Sequence, residues 1–346
     1  MKRRRGASLL FDSRGASLVE YVVVVGCVAL VALGGYRTFG SSVLGKSEAQ
    51  AKCVETFDCP EGTVAAAVPG PGADPNAIVA KGGPPGFGDV PGGKDATYQQ
   101  IPGQPTITGN GDGNAIHPND VSQGQLGDCY LVAGLAEIAL RNPDVIKNAI
   151  RDNGDGSYTV TFWEKAAWYN PFDSGYHKVE IRVTNDFPAK DGNPVFAQPG
   201  DISGDQRELW PMILEKAYAQ YHGSYDSIGG GDNSTGIFSL LTGKDSNLDG
   251  GRNFQEWFGW GVEFNTVADA WERGDGMTVG TSGNHDLPLF KDGTLVNDHV
   301  YFVTNVDRDK QTVTVRNPWG WSNAEVTLSF EDFKKHYTGM STVPLK

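Results

Sequence analysis

Residues 60–105 constrain this 346-residue chain more than any other stretch. They include "PGPGADPNAIVAKGGPPGFGDVPGGKD", in which proline, glycine and alanine dominate. Large apolar side chains recur there too seldom to enclose a core, so the stretch reads as a flexible spacer. A sizeable core must therefore form after it. The chain divides into residues 1–40, residues 41–107 and a globular body over 108–346. No internal repeat is visible.

The first part, "MKRRRGASLLFDSRGASLVEYVVVVGCVALVALGGYRTFG", is a basic head followed by an apolar run that holds Cys27. The uncharged stretch Tyr21–Tyr36 would be about 24 Å long as a helix. That falls short of the roughly 20 residues a bilayer span needs. Adding Ala16–Val19 reaches this length and places Glu20 inside, where a carboxylate is expensive in lipid. Such a segment predicts a membrane helix, with the basic head cytoplasmic and the rest exported. A cleaved signal peptide fits less well, because "AQA" at 49–51 lies too far beyond the apolar run. A buried helix of a soluble protein is the other arrangement. Cys53 and Cys59 flank "VETFD". In an oxidising compartment they would close a small disulfide loop, and otherwise they are two separate thiols.

The net charge is −13, unevenly spread. Residues 1–40 hold six basic and two acidic side chains, which leaves −17 on the remainder. An acidic body argues against nucleic acid as a partner. It suits calcium, which takes carboxylate and carbonyl oxygens, although solubility alone accounts for much acidic surface.

The body opens on "QGQLGDCYLVAGLAEIALRNP" (123–143). Leu131, Leu135, Ile138 and Ala139 follow helical spacing, and Asn142–Pro143 stops the pattern. Gly127 and Asp128 supply a turn and an N-cap. Cys129 then falls in the first helical turn, where free backbone N–H groups and the helix dipole favour a thiolate. A nucleophilic thiol also needs a base held by a third group. "DHVYFVTNV" (298–306) alternates like a strand, with Val300, Phe302 and Thr304 on one face and His299, Tyr301 and Val303 on the other. "DRDK" (307–310) makes a hairpin connection to "QTVTVRNPWG" (311–320). Pairing these strands brings His299 and Asn317 together, with Asn317 fixing the imidazole tautomer and Trp319 covering the bond.

Together, "QGQLGDCYLVAGL", "DHVYFV" and "RNPWGW" resemble the calpain family of papain-like cysteine proteases. So do "GSYTVTFW", "HKVEIRVTNDFP", the helical stretch from "RELWPMILEKAYAQYH" to "FSLLTG" and "VTLSFEDFKKHY", so that the likeness covers roughly residues 110–340. It implies an α+β, papain-like fold with an α-rich half bearing Cys129 and a β-rich half bearing His299 and Asn317. It further implies Cys129 as nucleophile, His299 as general base and acid, Asn317 as orienting residue, and Gln123 as an oxyanion donor beside the Cys129 amide. The substrates would be proteins or peptides. The sequence departs from the family in Tyr130, where tryptophan is usual, and in Asp298, which either raises the His299 pKa or faces solvent.

The family resemblance also implies a calcium site made by Asp120, Glu208 and backbone carbonyls near Gly113–Ala115. A second family site is eroded, with Glu325 kept and Asn323 in place of an aspartate. "NGDGNA" (110–115) is not an EF-hand, having alanine where that loop needs glycine and no glutamate at loop position 12. His117, His177, His222, His285 and His336 are scattered without the spacing of a zinc site.

"RGASLVEY" (14–21) resembles the leader of type IV and Flp-type pilin-like proteins, with a cut after Gly15 and Glu20 fifth beyond it. That likeness implies a prepilin peptidase and a pilus-like assembly as partners. It places the protein in a bacterial cell envelope, membrane-anchored or released after processing. Two rival readings share parts of the pattern. One is a pilin-like subunit that keeps the protease fold only for binding, which gives no reason to retain all of Gln123, Cys129, His299 and Asn317. The other is a transpeptidase or amidase using the same triad.

Overall fold

The computed structural model describes residues 84–101, 116–166, 175–200, 208–249, 262–320 and 322–346, together with the backbone of four short strands outside these ranges. All of them lie in the unit Ala66–Lys346. The expected membrane helix of residues 1–40 and the pair Cys53 and Cys59 lie outside the described residues. Among the described residues, no helix is long and apolar enough to cross a membrane.

Three short strands, β1 (Ile78–Val79), β2 (Thr97–Gln99) and β3 (Gln104–Thr106), precede helix α1 (Cys129–Arg141). Helix α2 (Pro143–Ala149) leads into β4 (Ile150–Asp152), β5 (Ser157–Lys165) and β6 (Tyr176–Thr184). Then come β7 (Phe187–Lys190), β8 (Asn193–Pro194), β9 (Ile202–Ser203) and β10 (Gln206–Glu208), followed by α3 (Trp210–His222) and α4 (Thr235–Thr242). The last third holds β11 (Asn247–Asp249), α5 (Phe264–Arg273), β12 (Gly276–Thr281), α6 (Pro288–Lys291), β13 (Val300–Asp307), β14 (Thr312–Arg316), β15 (Val326–Ser329), α7 (Phe330–His336) and β16 (Tyr337–Val343).

Helix α1 starts and stops where the sequence places it. Its end is chemical: Pro143 has no N–H to continue the ladder and instead opens α2 at a position where proline is tolerated. Leu131, Val132, Leu135, Ala136 and Ile138 are completely buried, so α1 is a central helix rather than a surface one. With α3 and α4 it shares a core with the sheet ordered β1-β6-β5-β4. A second core lies on the sheet ordered β11-β16-β12-β13-β14-β15 and is completed by α5 and α7. Strand β13 serves both. Its alternation sends Val300 and Phe302 into the first core and Tyr301 and Val303 into the second. Helix α1 packs directly on β12 and β13. At that contact the buried Glu137 carboxyl faces the Met277 and Val303 amides. Burial drives its pKa well above the ordinary carboxylate range, so Glu137 crosses the contact as a neutral acid.

The spacer expected over residues 60–105 does not hold for residues 84–101. Tyr225 N–H donates to Gly86 O at 2.9 Å, and the Tyr98 hydroxyl donates to Pro85 O at 2.6 Å. Strand β2 pairs antiparallel with β7. The Phe87 ring sits 4.9 Å from Tyr98, 6.3 Å from Phe196 and 6.1 Å from Tyr225 between ring centroids. Glycine here is a geometric requirement: Gly88 has φ of +67°, and a Cβ on it would lie 2.4 Å from the Asp226 Cβ. A few aromatic anchors, rather than a dense apolar pattern, hold this strap to the body. Phe87 is half-buried, so truncating it by Phe87→Ala should destabilise the fold by about 2 kcal/mol, below the range for fully buried phenylalanines. Thermal melting should show a Tm lower by several degrees.

Candidate active site

Cys129 is the first residue of α1 and is 8% exposed. Its sulfur faces the backbone N–H of Val300, the residue after His299. The Tyr130 and Cys129 amides at the helix start also favour the anion, but burial is the larger effect and pushes the thiol up to about 11. The thiol therefore rests protonated. The thiolate expected from helix position alone is outweighed by desolvation.

His299 is 7% exposed, and its backbone is clamped to β12. The His299 amide donates to Thr281 Oγ1 at 2.9 Å, and the Thr281 amide donates back to His299 O at 2.8 Å. The ring is flanked by Tyr301, edge-on at 5.2 Å, and Trp319 at 4.9 Å. His299 Nε2 lies 3.0 Å from Asn317 Oδ1, and the Trp319 amide donates to that same oxygen at 3.1 Å. A backbone N–H can only donate, so the shared atom is the amide oxygen and His299 Nε2 must carry the proton. This fixes the tautomer and leaves Nδ1 of the neutral ring with its lone pair. Burial lowers the His299 pKa, and the bond to Asn317 opposes that fall.

Gln123 ties the two halves together. Its amide N–H donates to Pro318 O at 3.0 Å, and its Oε1 accepts from Trp319 Nε1 at 3.1 Å. Nε2 donates to Leu126 O at 2.7 Å and makes a longer contact of 3.4 Å with Asp128 Oδ1. The orientation of the side chain is thus set from both ends. Trp319 covers the His299–Asn317 bond on one face and is 46% exposed on the other.

Asp298 takes the second of its two expected roles. Its side chain is 60% exposed and lies 3.9 Å from His285. The backbone at Asp298 is left-handed, with φ +49°, a conformation aspartate adopts more readily than most residues. Asp128 is likewise not the side-chain N-cap of α1. It is completely buried and meets the carboxyl of Glu215 on α3. Thr281 has no signal in the sequence, but Glu215 has one: it follows the apolar run "WPMIL" inside a helical stretch.

Asp120 and Glu208 do come together. Both are buried and their carboxyl groups meet. Asp120 Oδ2 accepts from His117 N at 2.7 Å and from Trp210 Nε1 at 2.9 Å. A Cβ on Gly200 would stand 2.6 Å from the Asp120 Cβ and 3.0 Å from the Glu208 Cβ, so only glycine lets the chain close over the pair. Residues 113–115, expected to add carbonyls, lie outside the described residues. Two facing carboxyls in a dry site need a proton or a cation between them, and the donor set is one that calcium accepts. Among the described residues, no group of three or more acidic, histidine or cysteine side chains gathers around one point.

The calpain family of cysteine proteases matches residues 107–342 of the chain. The chain is 26% identical over 266 residues to the calpain-2 catalytic subunit of Mus musculus, a match covering 63% of this chain and 34% of that protein. It is 29% identical over 238 residues to the calpain-1 catalytic subunit of Bos taurus, covering 64% and 30%. With calpain-8 of Mus musculus it shares 29% over 236 residues, covering 62% and 31%. The chain therefore spans about a third of the length of the curated relatives it matches. With the family pattern covering 107–342 and this site at its centre, the chain belongs to the calpain family of cysteine proteases.

Proposed function

We propose that this protein is a papain-like cysteine endopeptidase that cleaves proteins or peptides by a Cys129–His299–Asn317 triad. The observation that carries this reading is the bond from His299 Nε2–H to an Asn317 oxygen that the Trp319 amide also holds. It leaves Nδ1 as the base, on the strand end that packs against Cys129.

Burial keeps the thiol and the imidazole neutral before substrate arrives. The thiol proton passes to His299 Nδ1 as sulfur attacks the peptide carbonyl carbon. The oxyanion takes hydrogen bonds from the Cys129 backbone N–H and from the Gln123 Nε2–H that otherwise makes only the long 3.4 Å contact with Asp128 Oδ1. The C–N bond then breaks as Nδ1–H protonates the leaving amine. Water, giving its proton to Nδ1, attacks the thioester and releases the acid with the thiol restored.

Calcium fits Asp120 and Glu208. The bound ion would supply the positive charge that lets both carboxyls ionise, tying the loop before Cys129 to the start of α3. The N-terminal pattern supports a pilin-like leader cut after Gly15 by a prepilin peptidase. It also supports an apolar anchor and a catalytic body exported into a bacterial envelope, as part of a pilus-like assembly or released from it. The mass of the mature N-terminus tests that processing.

His299→Ala should abolish casein hydrolysis, and Asn317→Ala should lower kcat by about 10²-fold, in the range expected for losing general acid–base assistance. Because the free thiol is protonated near neutrality, Cys129 alkylation by iodoacetamide should rise about tenfold per pH unit from 7 to 9. A flat profile would mean a preformed thiolate. Millimolar calcium should raise the Tm of the wild-type protein and leave that of Glu208→Gln unchanged, as ligand linkage requires.

A further inference from the structure

A cavity of about 280 Å³ opens between α2, strands β5 and β6, α4 and the segment that follows β16. This size approaches the roughly 300 Å³ at which small-molecule sites begin. The cavity lies at the far end of α1 from Cys129. Asn142, on its rim, is the C-cap of α1, and the 13 residues of that helix set the two about 20 Å apart. Asn142 Nδ2 donates to Leu345 O at 2.7 Å, which fastens the segment after β16 along the cavity. Leu345 is buried in the core around α1, although β16 belongs to the six-stranded sheet. Both halves of the fold therefore wall the cavity.

The lining carries one sign of charge. Lys178 on β6 and Lys244 after α4 line it, and among the described residues no aspartate or glutamate does. In a chain with 42 acidic and 29 basic residues, that is the reverse of the overall balance. Nearby acids are engaged by other groups. Asp245 accepts from Lys165 and, at 2.8 Å, from the Tyr176 hydroxyl, and Glu180 lies 3.7 Å from Arg151. Lys244 Nζ donates to Lys346 O at 3.1 Å, which uses one of three ammonium hydrogens. Lys178 Nζ stands 5.7 Å from the Trp163 ring centroid, across the β5–β6 pair.

Trp163 supplies a flat apolar wall, and the end of α4 fixes its place. Gly243 there has φ of +63°, and a Cβ on it would stand 3.1 Å from Trp163 Cγ. The buried side chains of Leu241 and Leu345 add apolar surface beside the ring.

We propose that this cavity is a binding site for a small aromatic carboxylate, its ring on Trp163 and its carboxylate received by Lys244 and Lys178. A flat anion answers both features of the lining at once. A cation would meet two like charges. The apolar walls exclude part of the water, which strengthens the attraction between ammonium and carboxylate. Bound there, the ligand joins β5, β6 and α4 to the segment after β16 and stabilises the folded state. The site is separate from the catalytic groove and does not rest on the endopeptidase reading.

The test uses the full chain and 2-naphthoate, with 2-naphthamide and 2-naphthylmethylammonium as neutral and cationic controls on the same ring. A ligand-observed NMR titration should give naphthoate a Kd of about 1 mM, the affinity that ordinary efficiency gives a ligand of that size. Both controls should bind at least about tenfold more weakly. Lys178→Met combined with Lys244→Met should weaken naphthoate about tenfold and leave the amide unchanged. Lys178→Arg combined with Lys244→Arg keeps the charge and should hold the Kd within about threefold. Trp163→Ala should weaken naphthoate about tenfold by removing the wall. Naphthoate at about ten times its Kd should raise the Tm of the wild-type protein and not that of the double methionine variant.

Carbamidomethylating Cys129 with iodoacetamide should leave the naphthoate Kd unchanged. A Kd lost on that treatment places the anion in the catalytic groove and overturns the assignment. No binding at about 10 mM naphthoate, equal binding of the three ligands, or full affinity in the double methionine variant overturns it as well. The comparison of ligands needs no substitution, so it decides the matter even where a variant fails to fold. None of these outcomes touches the endopeptidase reading, which stands or falls on casein.

Discussion

Strand β13 has no solvent face over its first half, and the candidate site depends on that. Val300 and Phe302 are claimed by the core around α1, and Tyr301 and Val303 by the core of the six-stranded sheet. A slip of one residue would exchange the two sets and move every side chain to the wrong face. Register is therefore strongly specified. It brings the Val300 amide against the Cys129 sulfur and leaves His299 at the end of the strand, beyond the paired residues. The β13–β14 hairpin then returns Asn317 to the same end. Packing of ordinary aliphatic side chains sets the positions on which the polar chemistry relies.

Around this frame the interior is unusually acidic. Asp120, Asp128, Glu137, Glu208 and Glu215 are all buried, whereas Lys216 is the one buried lysine or arginine among the described residues. Desolvation raises the pKa of Asp120, Asp128, Glu137 and Glu215, so several of these groups are held as neutral acids or as pairs sharing a proton. Part of the acidic balance of the chain thus belongs to the interior. Asp120 meets Glu208 at the end of β10 and Asp128 meets Glu215 on α3, so the segment before Cys129 is held at two points. One pair suits a cation, and the other is closed over by protein.

Local signals in the sequence were reliable where the physics is local. Helix α1 begins after Gly127–Asp128 and ends at Asn142–Pro143 because turn and breaker residues act on their immediate neighbours. The β13–β14 hairpin follows from alternation and "DRDK". Gln123, Cys129, His299 and Asn317 were legible as chemical types; Asn317 meets His299, Gln123 meets Trp319, and Cys129 lies against the amide of Val300, the residue after His299. What was not legible depends on partners far along the chain. Asp128 reads as an N-cap until the fold buries it completely beside Glu215, on another helix. Residues 84–101 read as a spacer because two aromatic anchors, Phe87 and Tyr98, do not make a period. The thiolate expected at a helix start is overturned by burial, which no linear pattern reports.

Trp319 joins the two halves of the chemistry in a single side chain. Its ring screens the His299–Asn317 bond, and its Nε1–H holds the oxygen of the Gln123 amide. An amide whose oxygen is held cannot rotate its nitrogen out of place, so in the proposed mechanism the indole would bear on proton transfer and charge stabilisation together. A replacement at this position would disturb both contacts at once, while the part of the ring that neither contact covers stays open at the surface.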